Sequence, residues 1–473
     1  MLRIAVILLF SAQSLSAQKM FPSAAIAGAV DTLYEEIKTR HPYPSTSEGL
    51  AALEAALTRV RSAVDGTVSG RDSIPYYEFV GLVAPLQEAT KCGHLILQPY
   101  LDTAGTRAIM QRIFPLSMVP LETGEYVLLS DTETATDSLP AGTIVVAVNG
   151  RETDALLREI SPFSGINDEG NEWALLYKTA RNPMHLYQRY YGPQDSVVIT
   201  VAEEWGTERD YVIHPRITEY VNPRKDKTPI ANTLSFELSE DRKIGTLTIR
   251  KFSDYQFTDG NYFKFIRAVF DTLNANGVPA LIIDIRDNGG GRRSRITELY
   301  RYLTDEKFLF TAKARMTGPA RAAPGENEKN TRRREAGAVS RRDRRIQRYV
   351  TKPIRPVRKK RLYDGKVVVL INELSFSASG LFARMVQGYG RGELVGAVSG
   401  ASAGVMYGSS YRGKPILIGP ARDFQLKVNN IGLYPRYPLP GNVTPDHLVR
   451  PTLAGIRAGR DEQMERALEI IAQ

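Results

Sequence analysis

Three stretches between residues 22 and 92 carry hydrophobic residues three or four positions apart, which is the spacing of one face of a helix. The three sets are Ile26, Val30, Leu33 and Ile37, then Leu50, Leu53, Leu57 and Val60, and finally Phe79, Leu82, Val83 and Leu86. Asp72 or Ser73 is expected to cap the third helix. The pattern therefore predicts a helical region over residues 18–104, with His94 at the point where the last helix gives way to an extended run.

Short β-like runs replace this pattern after residue 105. The predicted strands are Glu125 to Leu129, Thr143 to Val148 and Ser196 to Val201. The stretch from Leu139 to Gly150, which ends in an Asn-Gly turn, resembles the strand and turn of a PDZ-like domain. This resemblance implies a domain over residues 105–225 that binds a peptide by adding it to a sheet edge. A small packing domain without a ligand is an equally good interpretation.

Strands and helices alternate in the remaining part of the chain, residues 226–473. The predicted strands are Thr246 to Ile249, Ala280 to Ile285, Val367 to Ile371 and Glu393 to Gly396. Hydrophobic residues at helical spacing begin at Phe263, Ile296 and Leu381. This alternation predicts an α/β core in which helices pack on the faces of a sheet.

The formal net charge of +10 comes from one stretch of the chain. Residues 313–361 contain 18 Lys or Arg and four acidic residues, so the rest, with 44 basic and 48 acidic residues, is slightly negative. This distribution disfavours a nucleic-acid-binding protein. The Pro, Gly and Ala among the charges indicate a solvated insertion over residues 312–362. The alternative is a weak contact with an anionic surface such as lipid phosphate, which salt should screen.

The first 17 residues have the pattern of a bacterial signal peptide. Arg3 supplies a positive start, Ile4 to Phe10 is a short apolar run, and small residues lead to a cleavage site after Ala17. The chain has one cysteine, Cys92, so neither an internal disulfide nor a lipid on an N-terminal cysteine is expected. No later stretch approaches 18 uninterrupted apolar residues. These features predict an exported protein of the bacterial periplasm or extracellular space.

Two of the predicted strands lead into segments suited to acyl-transfer chemistry. One runs into three glycines, Gly289 to Gly291, whose backbone can turn sharply and present N–H groups to a developing oxyanion. Another runs into small residues around Ser377, and the helix that follows would direct the N–H of Ala378 at the same oxyanion. The candidate oxyanion donors are Gly289, Gly290 and Ala378. Ser375 is expected to be a plain helix cap.

Other chemistry is less well supported by the same residues. A phosphate loop would end in Lys-Ser or Lys-Thr, whereas Arg292-Arg-Ser294 follows the glycines, although a mere tight turn remains possible. Five scattered histidines and one cysteine provide no paired spacing for a metal site. Acyl transfer needs no cofactor, and none is expected.

Several motifs, in the order in which they occur, resemble the tail-specific, or C-terminal-processing, serine peptidase family. They are Asp284-x-Arg286-x-Asn288 with its three glycines, Ser375-Phe-Ser377-Ala-Ser379, Gly390-Arg391 with Glu393-Leu-Val-Gly396, and Val443-Thr-Pro-Asp446. The resemblance spans most of residues 240 to 470 and implies a crotonase-like α/β core, usually with a PDZ domain. Cys92-Gly-His94 is similar to the tricorn-core-like branch of the family.

The resemblance implies roles for individual residues. Ser377 falls on the nucleophile and His94 on the general base of the tricorn-like branch, and the ordinary pKa of an imidazole suits that task. A lysine base, as in the tail-specific branch, is disfavoured because no lysine lies between Ser377 and Lys414. In tricorn-like enzymes a glutamate before the Val-x-Pro-Asp motif orients the site, but residues 433–442 contain no acid. Another acid or a backbone carbonyl that orients His94, a weaker dyad, or a loss of catalysis all stay open.

The remaining charged residues of these motifs are expected to be structural. Asp284 and Arg286 should pair within the core, and Asp446 should tether a loop. The sequence as a whole predicts an exported serine endopeptidase that forms an acyl-enzyme on Ser377 and acts on a peptide or protein. A catalytically inactive peptide-binding protein of the same fold is the alternative. A third possibility, an enzyme acting on thioesters, is disfavoured because such substrates are cytoplasmic.

Overall fold

The computed structural model describes residues 19–100, 109–165, 168–203, 206–218, 234–252, 262–317, 341–408 and 416–473. The predicted signal peptide and the middle of the basic insertion, residues 318–340, lie outside the described residues. Within the described ranges, no helix combines the length and the hydrophobicity needed to cross a membrane.

Three helices near the N-terminus confirm the helical pattern of that region. They are α1, Ser23–Arg40, α2, Ser47–Val68, and α3, Tyr76–Glu88. The strands that accompany them are β1, Met20–Pro22, β2, Ser73–Pro75, and β3, Ile96–Pro99. The predicted cap at Asp72 or Ser73 is wrong, because β2 pairs with β1 as far as Pro75, and α3 then begins without a side-chain cap.

In the described residues between 109 and 218, the chain combines short strands with three α-helices. The strands are β4, Arg112–Ile113, β5, Met118–Pro120, β6, Tyr126–Leu128, β7, Thr132–Glu133, β8, Ser138–Leu139, β9, Val145–Val148, β10, Arg151–Glu152, β11, Val197–Ala202, β12, Glu208–Ile213, and β13, Arg216–Ile217. The helices are α4, Thr153–Ile160, α5, Glu172–Arg181, and α6, Pro183–Tyr191. An antiparallel sheet has the order β10-β9-β11-β12. The three predicted strands are confirmed, whereas the sequence pattern does not predict the helices α4, α5 and α6.

The C-terminal half builds the largest sheet. Its strands are β14, Leu234–Leu238, β15, Ile244–Ile249, β16, Ala280–Asp284, β17, Lys313–Met316, β18, Lys366–Ile371, β19, Glu393–Gly396, β20, Met406–Gly408, β21, Ile416–Ile418, β22, Phe424–Lys427, β23, Ile431–Tyr434, and β24, His447–Leu448. The helices are α7, Tyr262–Ala275, α8, Arg293–Tyr300, α9, Arg341–Val350, α10, Ala378–Gly388, α11, Leu453–Arg457, and α12, Glu462–Ala472. The sheet order is β14-β15-β16-β18-β19-β24. β14 pairs with β15 antiparallel, and the other four neighbouring pairs are parallel. The prediction of an α/β core is confirmed.

Two small sheets bring distant segments onto this core. One has the order β17-β23-β20, and the other, β21-β22-β3, contains a strand from each half of the chain. β22 pairs with β3 over four residues, from Phe424 opposite Pro99 to Lys427 opposite Ile96. His94 lies two residues before β3, so this pairing fixes the segment that carries it against the C-terminal half.

Charged residues of the sequence motifs hold the core together. Asp284, almost fully buried, accepts paired hydrogen bonds of 2.9 to 3.0 Å from the guanidinium groups of Arg250 and Arg286. Asp446 accepts the N–H of Leu394 at 2.8 Å and so ties the chain before β24 to β19. The predicted structural roles of Asp284, Arg286 and Asp446 are therefore confirmed.

Helix α10 depends on core packing for its position. Phe382 on this helix is 0% exposed and its ring centroid lies 6.2 Å from that of Phe252. Phe382→Ala should lower the free energy of unfolding by about 3–5 kcal/mol, because it removes buried surface and leaves a cavity. Phe263→Ala on α7 is the matched control, since that ring is 38% exposed, and it should cost clearly less. Urea unfolding followed by near-UV circular dichroism measures both, and equal losses would contradict the packing described here.

Candidate active site

Ser377 occupies a sharp corner between β18 and α10. Its backbone has φ 58° and ψ −118°, a conformation that residues with a side chain rarely adopt. Strained strand-to-helix turns of this kind expose a serine hydroxyl in nucleophile elbows. The side chain is partly exposed, and α10 begins at the next residue, Ala378. The positive end of the helix dipole therefore lies beside the hydroxyl.

Ser375 does not cap α10, so that prediction is wrong. Its hydroxyl donates to the carbonyl of Ile285 at 2.8 Å and accepts the N–H of Asn372 at 3.0 Å. Because Ile285 follows β16 and Asn372 follows β18, Ser375 instead joins the ends of two neighbouring strands. The helix begins later than the run of small residues suggests.

The glycine turn lies directly against the serine corner. A Cβ atom at Gly290 would lie 2.7 Å from Cβ of Ser377 and 2.9 Å from the nitrogen of Ala378. A Cβ atom at Gly291 would lie 2.0 Å from the carbonyl oxygen of Phe252. Both glycines also have positive φ, 100° and 147°, which disfavours any other residue. The two segments can approach this closely only because these positions lack side chains.

The three candidate oxyanion donors differ in their hydrogen bonds. The N–H of Gly290 donates to Oδ1 of Asn288 at 2.9 Å and is therefore engaged within the turn. The N–H groups of Gly289 and Ala378 donate to no acceptor in the described part of the chain. Of the three, Gly289 and Ala378 are the donors that stay available for a ligand.

His94 reaches this corner from the N-terminal region. Its ring stacks on Phe376, the residue before Ser377, with centroids 4.4 Å apart and planes inclined by 28°. Burial lowers the pKa of His94 to about 4, and the charge of Lys178 adds to this effect. Nδ1 is buried and has no hydrogen-bond partner among the described residues. A neutral imidazole therefore lies beside the serine corner at pH 7.

The hydroxyl of Ser377 contacts Sδ of Met406 at 3.7 Å. A thioether is a weak acceptor, so rotation about χ1 can exchange this contact for a stronger hydrogen bond at little cost. Met406 lies on β20 and is 8% exposed, so it closes one side of the corner. The sequence analysis does not identify Met406, because it belongs to none of the motifs.

A second histidine lies close to His94. His41 is fully buried, its Nδ1 accepts the N–H of Tyr43 at 3.3 Å, and its ring centroid lies 4.5 Å from that of Tyr407. Burial, together with the charge of His94, lowers the pKa of His41 to about 3. His41 is therefore neutral above this pH, and its ring packs against that of Tyr407.

A carboxylate that the sequence analysis does not identify also lies beside His94. Asp168 is 0% exposed, and its two oxygens accept the N–H of Gly93 at 2.7 Å and that of Ser402 at 3.1 Å. A carboxylate oxygen of Asp168 and a ring nitrogen of His94 lie within 4.8 Å of each other. Burial raises the pKa of Asp168 to about 7, although the two N–H donors oppose this shift. In the sequence, this residue is only part of a polar turn, Asn167-Asp-Glu-Gly170, which carries no catalytic signature.

Cys92 completes a group of possible metal ligands with His94 and Asp168. One donor atom from each lies within 4.8 Å of the other two, and zinc binds all three residue types. Burial raises the pKa of the Cys92 thiol far above its usual range, which disfavours the thiolate that a metal needs. Both oxygens of Asp168 already accept backbone N–H groups, and Nδ2 of Asn429 lies 3.7 Å from Sγ of Cys92. The donor set therefore fits a polar cluster around His94 better than a metal centre.

Part of the chain is similar in sequence to Peptidase family S41. Residues 243–416, which include the glycine turn and the serine corner, match the family model described as Peptidase family S41. Over 274 residues the chain is 27% identical to the carboxyl-terminal-processing peptidase 2, chloroplastic, of Arabidopsis thaliana. That alignment covers 56% of this chain, and the chain spans about half the length of the relative, 49%.

Comparison with solved structures shows a shared mixed α/β fold. The crystal structure of a serine-to-alanine mutant of CPAF has a TM-score of 0.64 at 14% identity, and covers 92% of this chain and 94% of that chain. Mature CPAF complexed with lactacystin has a TM-score of 0.62 at 16% identity, and covers 95% and 98%. The likeness therefore extends over nearly the whole of both chains.

The close approach of Gly290 to Ser377 predicts a stability effect. Gly290→Ala should lower the free energy of unfolding by about 3 kcal/mol, because strain at positive φ adds to crowding against the serine corner. Gly277→Ala is the matched control, since Gly277 has φ 58° but open space around its Cβ position, and it should cost about 1 kcal/mol. Differential scanning calorimetry compares the two, and equal midpoints would show that the described contact is not tight.

Proposed function

We propose that this chain is a serine endopeptidase of Peptidase family S41, with Ser377 as nucleophile and His94 as general base. The observation that carries the proposal is the arrangement at one corner of the sheet. There the ring of His94 stacks on Phe376, next to a strained Ser377. The unengaged N–H groups of Gly289 and Ala378 flank the same corner. A nucleophile, a proton acceptor and oxyanion donors are the parts that acyl transfer requires.

The first step of the proposed reaction forms an acyl-enzyme. Oγ of Ser377 attacks the carbonyl carbon of the scissile peptide bond, while an imidazole nitrogen of His94 accepts the hydroxyl proton. The negative charge that develops on the carbonyl oxygen is stabilised by the N–H groups of Gly289 and Ala378, each worth about 3 kcal/mol in comparable sites. The imidazolium then gives its proton to the leaving amine as the C–N bond breaks.

Water completes the cycle by the same route. His94 takes a proton from the water as it attacks the ester, and returns that proton to Oγ of Ser377 when the peptide acid leaves. The imidazole is ready for this role at neutral pH, because its lowered pKa keeps it unprotonated. Before the first step, Ser377 has to turn from Met406 towards His94, and catalytic hydrogen bonds often form only when substrate is bound.

In this proposal the sheet β14-β15-β16-β18-β19-β24 is a crotonase-like core, and the four-stranded sheet β10-β9-β11-β12 belongs to a PDZ-like module. Asn149 and Gly150 both have positive φ, 50° and 72°, which suits the tight turn between β9 and β10. β12 is at one edge of its sheet. An edge strand offers backbone N–H and C=O groups to an added peptide, which supports a role in holding the substrate.

Covalent labelling tests the proposed nucleophile and base. A fluorophosphonate probe should label the purified wild-type protein at Ser377, and Ser377→Ala should abolish the label. His94→Ala should slow labelling by at least about 100-fold, because general base assistance is lost. Peptide mapping by mass spectrometry locates the label, and its growth with time gives the rate.

Ser379→Ala is the matched control for that experiment. Ser379 lies on the same helix, and its buried hydroxyl has no hydrogen-bond partner among the described residues, so its removal should leave labelling at the wild-type rate. Folded wild-type protein that takes up no label at neutral pH, or a label on another residue, would reject the proposed site. The first result would favour the inactive peptide-binding protein.

We also propose that the chain is exported to the periplasm or beyond, on the basis of its first 17 residues. Expression of the full sequence in a bacterium should yield an envelope-fraction protein whose intact mass begins at Gln18. Ala17→Phe places a bulky residue at the cleavage site and should leave the segment attached. Uncleaved wild-type protein confined to the cytoplasm would contradict export.

A further inference from the structure

We infer that Asp168 is the carboxylate that positions His94 and stabilises its protonated form during the reaction. This inference rests on the proposed function, since it concerns the base of that reaction. It supplies the acid that is missing from residues 433–442, where the resemblance to tricorn-like enzymes implies a glutamate. Asp168 acts through His94 and is therefore a positioning residue.

The contacts of Asp168 link the segment that carries His94 to the segment that follows α10, the helix after Ser377. One oxygen accepts the N–H of Gly93, the residue next to His94, and the other accepts the N–H of Ser402. The backbone N–H of Asp168 donates to the carbonyl of Gly400 at 3.2 Å, and its carbonyl accepts a hydrogen bond from Nδ2 of Asn442 at 2.9 Å. The side chain is thus held on both sides and has little freedom to move.

Asp168 and His94 each lack the partner that the other can provide. Among the described residues, no lysine or arginine forms an ion pair with Asp168, although its carboxylate is fully buried. Nδ1 of His94 is equally buried and donates to nothing. A buried charge without a counter-charge is costly, and an imidazolium within 4.8 Å would offset that cost when His94 takes the serine proton.

A purely structural role would use only the two backbone N–H contacts. It accounts for an acceptor at this position but leaves the negative charge uncompensated. The structural role and the positioning role therefore differ in one measurable respect. Only the positioning role couples the ionisation of Asp168 to the basicity of His94.

The other titratable groups around this pair are His41, Cys92, Lys178 and Glu169. The lowered pKa of His41, to about 3, and the strongly raised pKa of Cys92 keep both neutral between pH 5 and 9. Burial lowers the pKa of Lys178 to about 8, and the charge of Lys178 lowers the pKa of His94. Glu169 accepts a hydrogen bond from the hydroxyl of Ser402 at 2.8 Å and its charge raises the pKa of Asp168.

The pH dependence of labelling by the fluorophosphonate probe tests the inference. In the wild-type protein the rate should rise with pH around 7, where Asp168 ionises. Asp168→Asn should lower the plateau rate by at least about 100-fold. It should also move this rise towards pH 4, because the loss of a proton from His94 is then the titration that sets the rate. Loss of a structural contact would lower the rate without moving the rise.

Glu169→Gln is the matched control. It removes a carboxylate from the same turn, keeps an acceptor for Ser402, and should have a plateau labelling rate within about threefold of wild type.

Nuclear magnetic resonance of the wild-type protein gives a second readout that needs no activity and no folded variant. The ring of His94 should show an inflection near pH 7 that it shares with the carboxyl carbon of Asp168, in addition to its own protonation near pH 4 and distinct from the midpoint of Lys178 near pH 8. A His94 ring without an inflection near pH 7 would overturn the inference. So would an Asp168→Asn protein whose profile matches wild type, or a wild-type labelling rate that rises severalfold with a metal chelator, because the latter would make the cluster a metal site.

The two proposals can fail separately. A wild-type protein that takes up no label rejects the proposed function, and the shared inflection then still reports whether Asp168 and His94 are coupled. A wild-type protein that is labelled at Ser377, together with an Asp168→Asn protein that is labelled equally well, keeps the proposed function and rejects the role of Asp168.

Discussion

The candidate site depends on the contact between the glycine turn after β16 and the serine corner after β18. These strands are parallel neighbours, so their carboxyl ends lie at the same edge of the sheet. Gly290 then sits so close to Ser377 that no side chain fits between them. Asn288 secures the turn from both sides, since its carbonyl accepts the N–H of Phe376 at 3.0 Å and its side chain accepts the N–H of Gly290. The backbone strain at Ser377 persists because this packing determines the conformation.

The imidazole reaches the corner through a different set of interactions. The pairing of β3 with β22 fixes the segment after His94, and Asp168 holds the segment before it through the N–H of Gly93. Neither interaction is local in sequence. A long separation along the chain makes such contacts costly in chain entropy, and they form only because the N-terminal helices and the C-terminal sheets share buried surface. Tyr76 and Asp423, which are hydrogen-bonded to each other, add to the same junction.

Much of the fold can be predicted because the spacing of hydrophobic residues along the chain follows which positions of a helix or strand are buried. The α/β alternation holds, and strands such as β16, buried at every position, read as continuous apolar runs. The helices α4 to α6, which are not predicted, have eight to ten residues each, so tertiary packing rather than helix propensity stabilises them. The cap predicted at Asp72 or Ser73 fails for a related reason, since Ser73 pairs with Pro22 of β1 and the N–H of Tyr76 donates to the carbonyl of Lys19 instead of to a side chain. Ser375 shows the same effect, because its hydroxyl serves two strand ends that only folding brings together.

The sequence by itself determines the glycine turn, the position of Ser377 before a helix, and the α/β order of the C-terminal half, because each follows from residues that are close along the chain. Only the tertiary structure decides which polar groups meet. It places His94 on Phe376, turns the hydroxyl of Ser377 to Met406, and brings Asp168 to His94. The physical reason is that these contacts join segments up to several hundred residues apart. Packing and strand pairing bring such segments together, and the spacing of hydrophobic residues along the sequence does not show which of them will meet.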